Sequence, residues 1–132
     1  MPDSEKAVVL VADGEASVLK NVSSTLEKAG FTVLTAHGGP EILDVCEHHP
    51  EPIQLAIVDM TMAGNGPEVM ERLDGSYPGI RFLFTSSNDD SADVRQIGRS
   101  GRTRGFLRKP FRRSQLLGRV LQVLDAPAVH TA

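Results

Sequence analysis

Short apolar runs alternate along the chain with stretches whose apolar residues recur at helical spacing. AVVLVA (7–12) is continuously apolar, the pattern of a strand covered on both faces. Val18, Leu19, Val22, Leu26 and Ala29 then fall on one helix stripe, and Gly30 ends that helix. FTVLTA (31–36) predicts a second strand, with a turn at His37-Gly38-Gly39. Pro40 suits the first turn of a helix carrying Ile42, Leu43, Val45, Cys46 and His49. IQLAIVD (53–59) predicts a third strand. After a loop, Pro67 opens a helix with Val69, Met70 and Leu73, broken at Gly75 and Pro78. IRFLFTSS (80–87) predicts a fourth strand, residues 89–101 a weak helix interrupted by Gly98 and Gly101, and RGFLRK (104–109) a fifth strand. Leu116, Leu117, Val120, Leu121 and Leu124 form a last stripe that stops before Pro127.

Five strands alternating with five helices argue for an α/β fold, a parallel sheet with helices on both faces. The pattern predicts one domain over residues 1–126 and a frayed tail over 127–132.

Composition narrows this picture. A chain of 132 residues with 40% hydrophobic residues can close one packed core. No apolar stretch approaches the ~20 residues that cross a bilayer, so no membrane segment is expected. The start, MPDSEK, lacks the basic and apolar regions of a secretory signal. The single cysteine, Cys46, allows no intrachain disulfide and sits where a small core residue belongs. A cytoplasmic setting is the expectation. Charge is unevenly spread: residues 1–94 hold 16 acids and five bases, whereas Arg95 to Arg119 brings nine bases and no acid.

Candidate chemistry collects at the strand ends. In an open α/β sheet, sites lie at the carboxyl ends of the strands. Strand one ends at Asp13, Gly14 and Glu15, strand three at Asp59, strand four at Thr85 and Ser86, strand five at Lys109-Pro110. Singly, each suits a turn or cap. Together they suit phosphoryl transfer: carboxylates to hold magnesium, an aspartate nucleophile, a threonine hydroxyl and a lysine to offset charge on phosphoryl oxygens.

VLVADGE, AIVDMTMAGNG, FLFTSS and GFLRKPF resemble, in order, the four signatures of the receiver domain of two-component response regulators. Asp13, Asp59, Thr85 and Lys109 are 46, 26 and 24 residues apart, which also agrees. The resemblance covers essentially the whole chain. It implies a flavodoxin-like, doubly wound (βα)5 sandwich with strand order 2-1-3-4-5. It implies that Asp59 accepts a phosphoryl group from a histidine kinase or phosphotransfer protein, with magnesium as cofactor. Thr85 would turn toward the phosphoryl group, Phe106 would change rotamer with it, and Lys109 would contact the phosphoryl oxygens. Asp13, Asp59 and the backbone carbonyl of Thr61 would serve the metal, and Lys109-Pro110 would be a cis peptide. A signalling domain is implied rather than an enzyme.

The first signature departs from the family. Its usual second acid, the direct magnesium ligand, is Gly14 here. Glu15 is a candidate substitute; its other reading is a solvated carboxylate favoured at a helix start. Weakened magnesium binding follows, and a pseudo-receiver that signals by docking alone is the alternative. Ala63 stands for a common proline, and the AGNG loop is one residue short.

Other classes fit less well. A haloacid dehalogenase-like phosphotransferase needs a second aspartate where Thr61 stands, and the chain lacks room for a cap domain. The loop after strand one has no dinucleotide fingerprint. His37, His48, His49 and His130 read as surface or helix-end residues. Arg95, Arg99 and Arg102 share one face of the weak fourth helix, while Arg104 and Arg108 flank Phe106, and Arg112 and Arg113 open the last helix. This stretch is either a solvated balance to the acidic remainder or a docking surface for an acidic output partner. Direct nucleic-acid binding is not expected, since stacking aromatics are absent. The chain is compatible with a stand-alone regulator or with a receiver from a hybrid histidine kinase, and the pattern leaves its oligomeric state open.

Overall fold

The computed structural model describes residues 7–49, 52–60, 72–73, 75–77, 79–86 and 103–125, with residues 103 and 104 described for their backbone. Five strands, β1 (Val8–Ala12), β2 (Thr32–Ala36), β3 (Leu55–Asp59), β4 (Arg81–Ser86) and β5 (Thr103–Arg108), form one parallel sheet in the order β2-β1-β3-β4-β5. Three complete helices are described: α1 (Ala16–Lys28), α2 (Gly39–His48) and α3 (Arg113–Asp125). The strand order and the flavodoxin-like architecture are those expected.

Alternation along the strands builds two cores, one on each face. Val8, Leu10 and Ala12 of β1 point with Ala56, Val58, Phe82 and Phe84 toward Ile42 and Cys46 of α2. Val9, Val11, Leu55, Ile57, Leu83 and Leu107 point the other way, onto Leu19, Val22 and Leu26 of α1 and Leu116, Val120 and Val123 of α3. All of β1 and β3 is buried, which explains their unbroken apolar runs. At the sheet edge, Thr32 and Thr35 of β2 are exposed.

Several boundaries differ from expectation, each for a local reason. β3 starts at Leu55 rather than residue 53, although Ile53 is buried and the Gln54 N–H donates to the Val8 carbonyl at 2.9 Å. On α1, Thr25 replaces Ala29 in the buried stripe. The Thr25 hydroxyl donates to the Asn21 carbonyl at 3.0 Å, so burial strands no polar group. Ala29 is the exposed C-cap, and Gly30 turns the chain with φ of 101°, in the left-handed region. Gly75 does not break its helix: residues 75 and 76 are helical, and the Tyr77 N–H closes the last turn on the Leu73 carbonyl at 2.7 Å. On α3 the buried stripe is Leu116, Val120 and Val123; Leu121, one residue past Val120 and so about 100° round the helix, is 57% exposed.

The β4–β5 pairing contains a register shift. Phe82 pairs with Thr103 but Leu83 with Gly105, leaving Arg104 as an extra backbone position. A Cβ on Gly105 would meet Leu83 Cδ1 at 3.1 Å and Val123 Cγ2 at 3.5 Å, so glycine lets α3 settle close to the sheet. Beyond the bulge, Phe106 pairs with Phe84 and Leu107 with Thr85. A slip of one residue exchanges the two faces of a strand. The bulge therefore decides that Phe106 faces the α2 side while Leu107 faces α1 and α3.

At the opposite end of β4, Arg81 reaches the C-terminus of α3. Its Nη1 donates to the carbonyls of Val123 at 2.8 Å and Leu124 at 2.6 Å. α3 has no basic residue in its own last turn, so a strand supplies the cation that its orphan carbonyls favour.

Candidate functional site

Register places the polar strand ends side by side. Ala12 pairs with Val58, so Asp13 and Asp59 follow at the same level, and Asp59 pairs with Thr85. These three positions share the α1–α3 side of the sheet. Lys109, two residues beyond Leu107, returns to that side just past the end of β5. Asp13, Asp59 and Thr85 are 2%, 4% and 3% exposed. Carboxylates so far from water need cations or donors.

Lys109 is the cation. Its ammonium lies 2.6 Å from Asp13 Oδ2 and 3.4 Å from Asp59 Oδ2, with its side chain 13% exposed. Burial acts most strongly on Lys109 and pulls its pKa down. The hydrogen bond it donates to Asp13 and the charges of Asp59 and Asp13 together outweigh burial, so the pKa stands above the usual 10.5. Asp13 Oδ1 meanwhile accepts the Glu15 N–H at 2.9 Å, which fixes the turn into α1.

The end of β4 holds the site from below. The Thr85 carbonyl accepts the Met60 N–H and the Ser86 carbonyl accepts the Lys109 N–H, both at 2.9 Å. The residues after Asp59 and at Lys109 thus hang from adjacent peptides of one strand. The Lys109-Pro110 peptide is cis. Phe106 lies half-buried on the far face, against the cluster that contains Phe82 and Phe84, whose rings stack at 5.7 Å. Its backbone partner Phe84 is the immediate chain neighbour of Thr85.

The structure brings Asp13, Asp59, Thr85 and Lys109 together, with Phe106 behind them. It does not bring Glu15 in: Glu15 is the exposed N-cap of α1. Arg108 ends β5 exposed. Thr61, the loop around Ala63, the fourth helix with Arg95, Arg99 and Arg102, the Arg104 side chain, and the tail lie outside the described residues. What sequence reasoning missed is that the nearer partner of Lys109 is Asp13 rather than Asp59; only the distances reveal that ranking.

The donor set of the described residues does not present a prepared magnesium seat. Among the described residues, no three His, Cys, Asp or Glu side chains converge to hold a metal ion. Both carboxylate oxygens of Asp13 are engaged, and the space shared with Asp59 is taken by an ammonium. Gly14 contributes no ligand.

The model of the response regulator receiver domain family matches residues 9–121. The chain belongs to that family. The sensor kinase CckA of Brucella abortus is 30% identical over 123 residues, 92% of this chain but 13% of that protein. The heme response regulator HssR of Staphylococcus epidermidis is 32% identical over 116 residues, 87% of this chain and 50% of the relative. The chain thus spans at most half the length of these two relatives. Among solved structures, the chemotaxis response regulator CheY4 of Vibrio cholerae has a TM-score of 0.77 at 29% identity, covering 89% of this receiver and 98% of that chain. The non-phosphorylated HemR receiver domain of Leptospira biflexa, 22% identical, shares the fold with a TM-score of 0.81, covering 95% and 99%. Among the described residues, no helix of this receiver is long and apolar enough to cross a membrane.

Proposed function

We propose that this receiver is a phosphoacceptor in a two-component system and takes a phosphoryl group onto Asp59 from a phosphohistidine on a kinase or phosphotransfer protein. The observation that carries this reading is the buried Asp59 carboxylate, 3.4 Å from the Lys109 ammonium and in register with Thr85. In the transfer, a carboxylate oxygen of Asp59 attacks phosphorus and the P–N bond to the donor imidazole breaks. The bonding pair stays on the imidazole, which takes up a proton, and the product is an acyl phosphate. Lys109 offsets charge on the phosphoryl oxygens, and the Thr85 hydroxyl donates to one of them.

Phosphorylation replaces one negative charge with about two. Lys109 then has a stronger partner than Asp13, and Thr85 a reason to turn. Phe106, behind Thr85 through Phe84, carries that change to the face formed by β5 and α3, where Arg108 lies. An acidic partner read out there, in the cytoplasm, completes the proposal. A docking-only pseudo-receiver is the second reading, favoured by Gly14 and by the double engagement of Asp13.

Intact-mass spectrometry after incubation with acetyl phosphate tests the first reading. Wild type should gain one phosphoryl group and Asp59→Asn none. An adduct on both proteins, or on neither at saturating donor and magnesium, would falsify phosphoacceptance at Asp59.

A further inference from the structure

We propose that Lys109 is the resident cation of the acceptor site, standing where a divalent ion would bind between Asp13 and Asp59, and that Gly14 keeps it there by withholding a ligand. The idea deepens the phosphoacceptor reading, but its metal titrations stand apart from phosphotransfer. Three observations carry it.

The ammonium is held more tightly by Asp13, at 2.6 Å, than by the acceptor, at 3.4 Å. Magnesium accepts oxygen ligands at 2.0–2.1 Å in near-ideal octahedral geometry. Each Asp13 oxygen already accepts a hydrogen bond, so a metal ion on either would crowd the ammonium or the Glu15 N–H and bind against their competition. Competition is therefore built into the site.

The backbone does not require glycine at position 14. Gly30 is the positive-φ glycine of the described chain, so Gly14 sits in a conformation open to any residue. A Cβ there would meet nothing within 4 Å. An aspartate fits without strain, next to a cluster that holds two carboxylates. The missing acid is thus a property of the site's charge, not a concession to folding.

Glu15, the acid on its other side, does not compensate: it is the exposed N-cap of α1. Two carboxylates and one ammonium leave one net negative charge for an incoming divalent ion. Affinity of such sites rises with ligand charge count.

The test is Mn2+ binding followed by electron paramagnetic resonance, with the Mg2+-induced rise in melting temperature as a second readout. Wild type and Gly14→Ala should bind weakly and alike. Gly14→Asp should bind about tenfold tighter or more, because one anionic ligand has been added. Lys109→Met should also tighten Mn2+ binding, since two buried carboxylates then lack their counter-ion, and its melting temperature should depend on Mg2+ more steeply than that of wild type. Wild-type affinity equal to that of Gly14→Asp would overturn the role of Gly14. Unchanged or weaker binding in Lys109→Met would overturn the competition. A protein that fails the acetyl phosphate experiment yet follows this pattern would lose the phosphoacceptor reading and keep the resident-cation one.

Discussion

At the carboxyl edge of the sheet, Lys109 faces two carboxylates; at the amino edge, Arg81 faces two backbone carbonyls. Both cations tie a strand end to something packed beside it. Their partners differ in one respect that matters. A carboxylate can gain a phosphoryl group, a proton or a metal, and each event changes what Lys109 prefers. The carbonyls of Val123 and Leu124 can gain none of these. The same sheet thus carries a bond that chemistry can rewrite at one end and a fixed clasp at the other. Among the described residues, the cavity beside Arg81, ≈ 330 Å³, is lined by Ala7, Gln54, Gly79, Arg81 and Leu124, none of them acidic.

Replacing each cation by methionine separates the two roles, and the largest effect is kinetic. Lys109→Met should slow phosphorylation of Asp59 by about a hundredfold, the scale of losing a positioned electrostatic donor. Arg81→Met should leave that rate unchanged, as measured by the time course of the phosphoryl adduct. Equal slowing in both variants would mean that Lys109 acts only through the fold.

Stability should reverse the ranking of Arg81. Its two short hydrogen bonds are charge-assisted but half-exposed, so Arg81→Met should lower unfolding free energy by about 2 kcal/mol in urea titrations. Amide exchange should rise at the C-terminal turn of α3. A loss below about 0.5 kcal/mol, the ordinary scatter of surface substitutions, would remove the clasp from the account.

Alkaline pH sharpens the contrast further. The Lys109 pKa is raised in the folded state, so its contribution is fully present below 10.5 and disappears as pH rises through the higher folded value. The Cys46 thiol, raised chiefly by burial, adds a loss in the same direction that begins near its ordinary 9.0. The Tyr77 hydroxyl, also raised chiefly by burial, adds its own loss from near its ordinary 10.0. Arg81 adds none. Wild type should therefore lose stability above neutral pH in two stages, and Lys109→Met should keep the first in full and the second only in part. An upper stage undiminished in Lys109→Met would remove Lys109 from it.

The two ends were not equally legible in the sequence. Asp13, Asp59, Thr85 and Lys109 announce themselves because each polar residue interrupts an apolar run where a strand stops. Alternation of elements predicts the parallel sheet, and the family resemblance implies its strand order. Arg81 carries no such signal: an arginine opening a strand looks like any surface residue until α3 is folded against it. The bulge at Arg104 was equally hidden, since RGFLRK reads as an ordinary strand, yet it decides which face Phe106 and Lys109 occupy. Leu121 misled for the opposite reason: six apolar residues in α3 make a broad stripe, and only packing against the sheet and α1 selects Leu116, Val120 and Val123, the last of which the expected stripe omitted.

The smallest prediction concerns the other end of α3. Arg112 is its N-cap, and the Arg112 N–H donates to Gln115 Oε1 at 2.8 Å, half of a capping box. The first turn has no acid, and Arg112 and Arg113 place positive charge where the helix dipole disfavours it. This end is weakly secured, while the far end has Arg81. Gln115→Ala should therefore cost only about 0.5–1 kcal/mol. Gln115→Glu should be neutral or mildly stabilising, because a carboxylate keeps the hydrogen bond, meets the dipole and pairs with two arginines. Urea titration of both variants beside Arg81→Met decides the matter. If Gln115→Ala lost as much as Arg81→Met, α3 would be held equally at both ends, and the fixed clasp would no longer distinguish the amino edge of the sheet from its carboxyl edge.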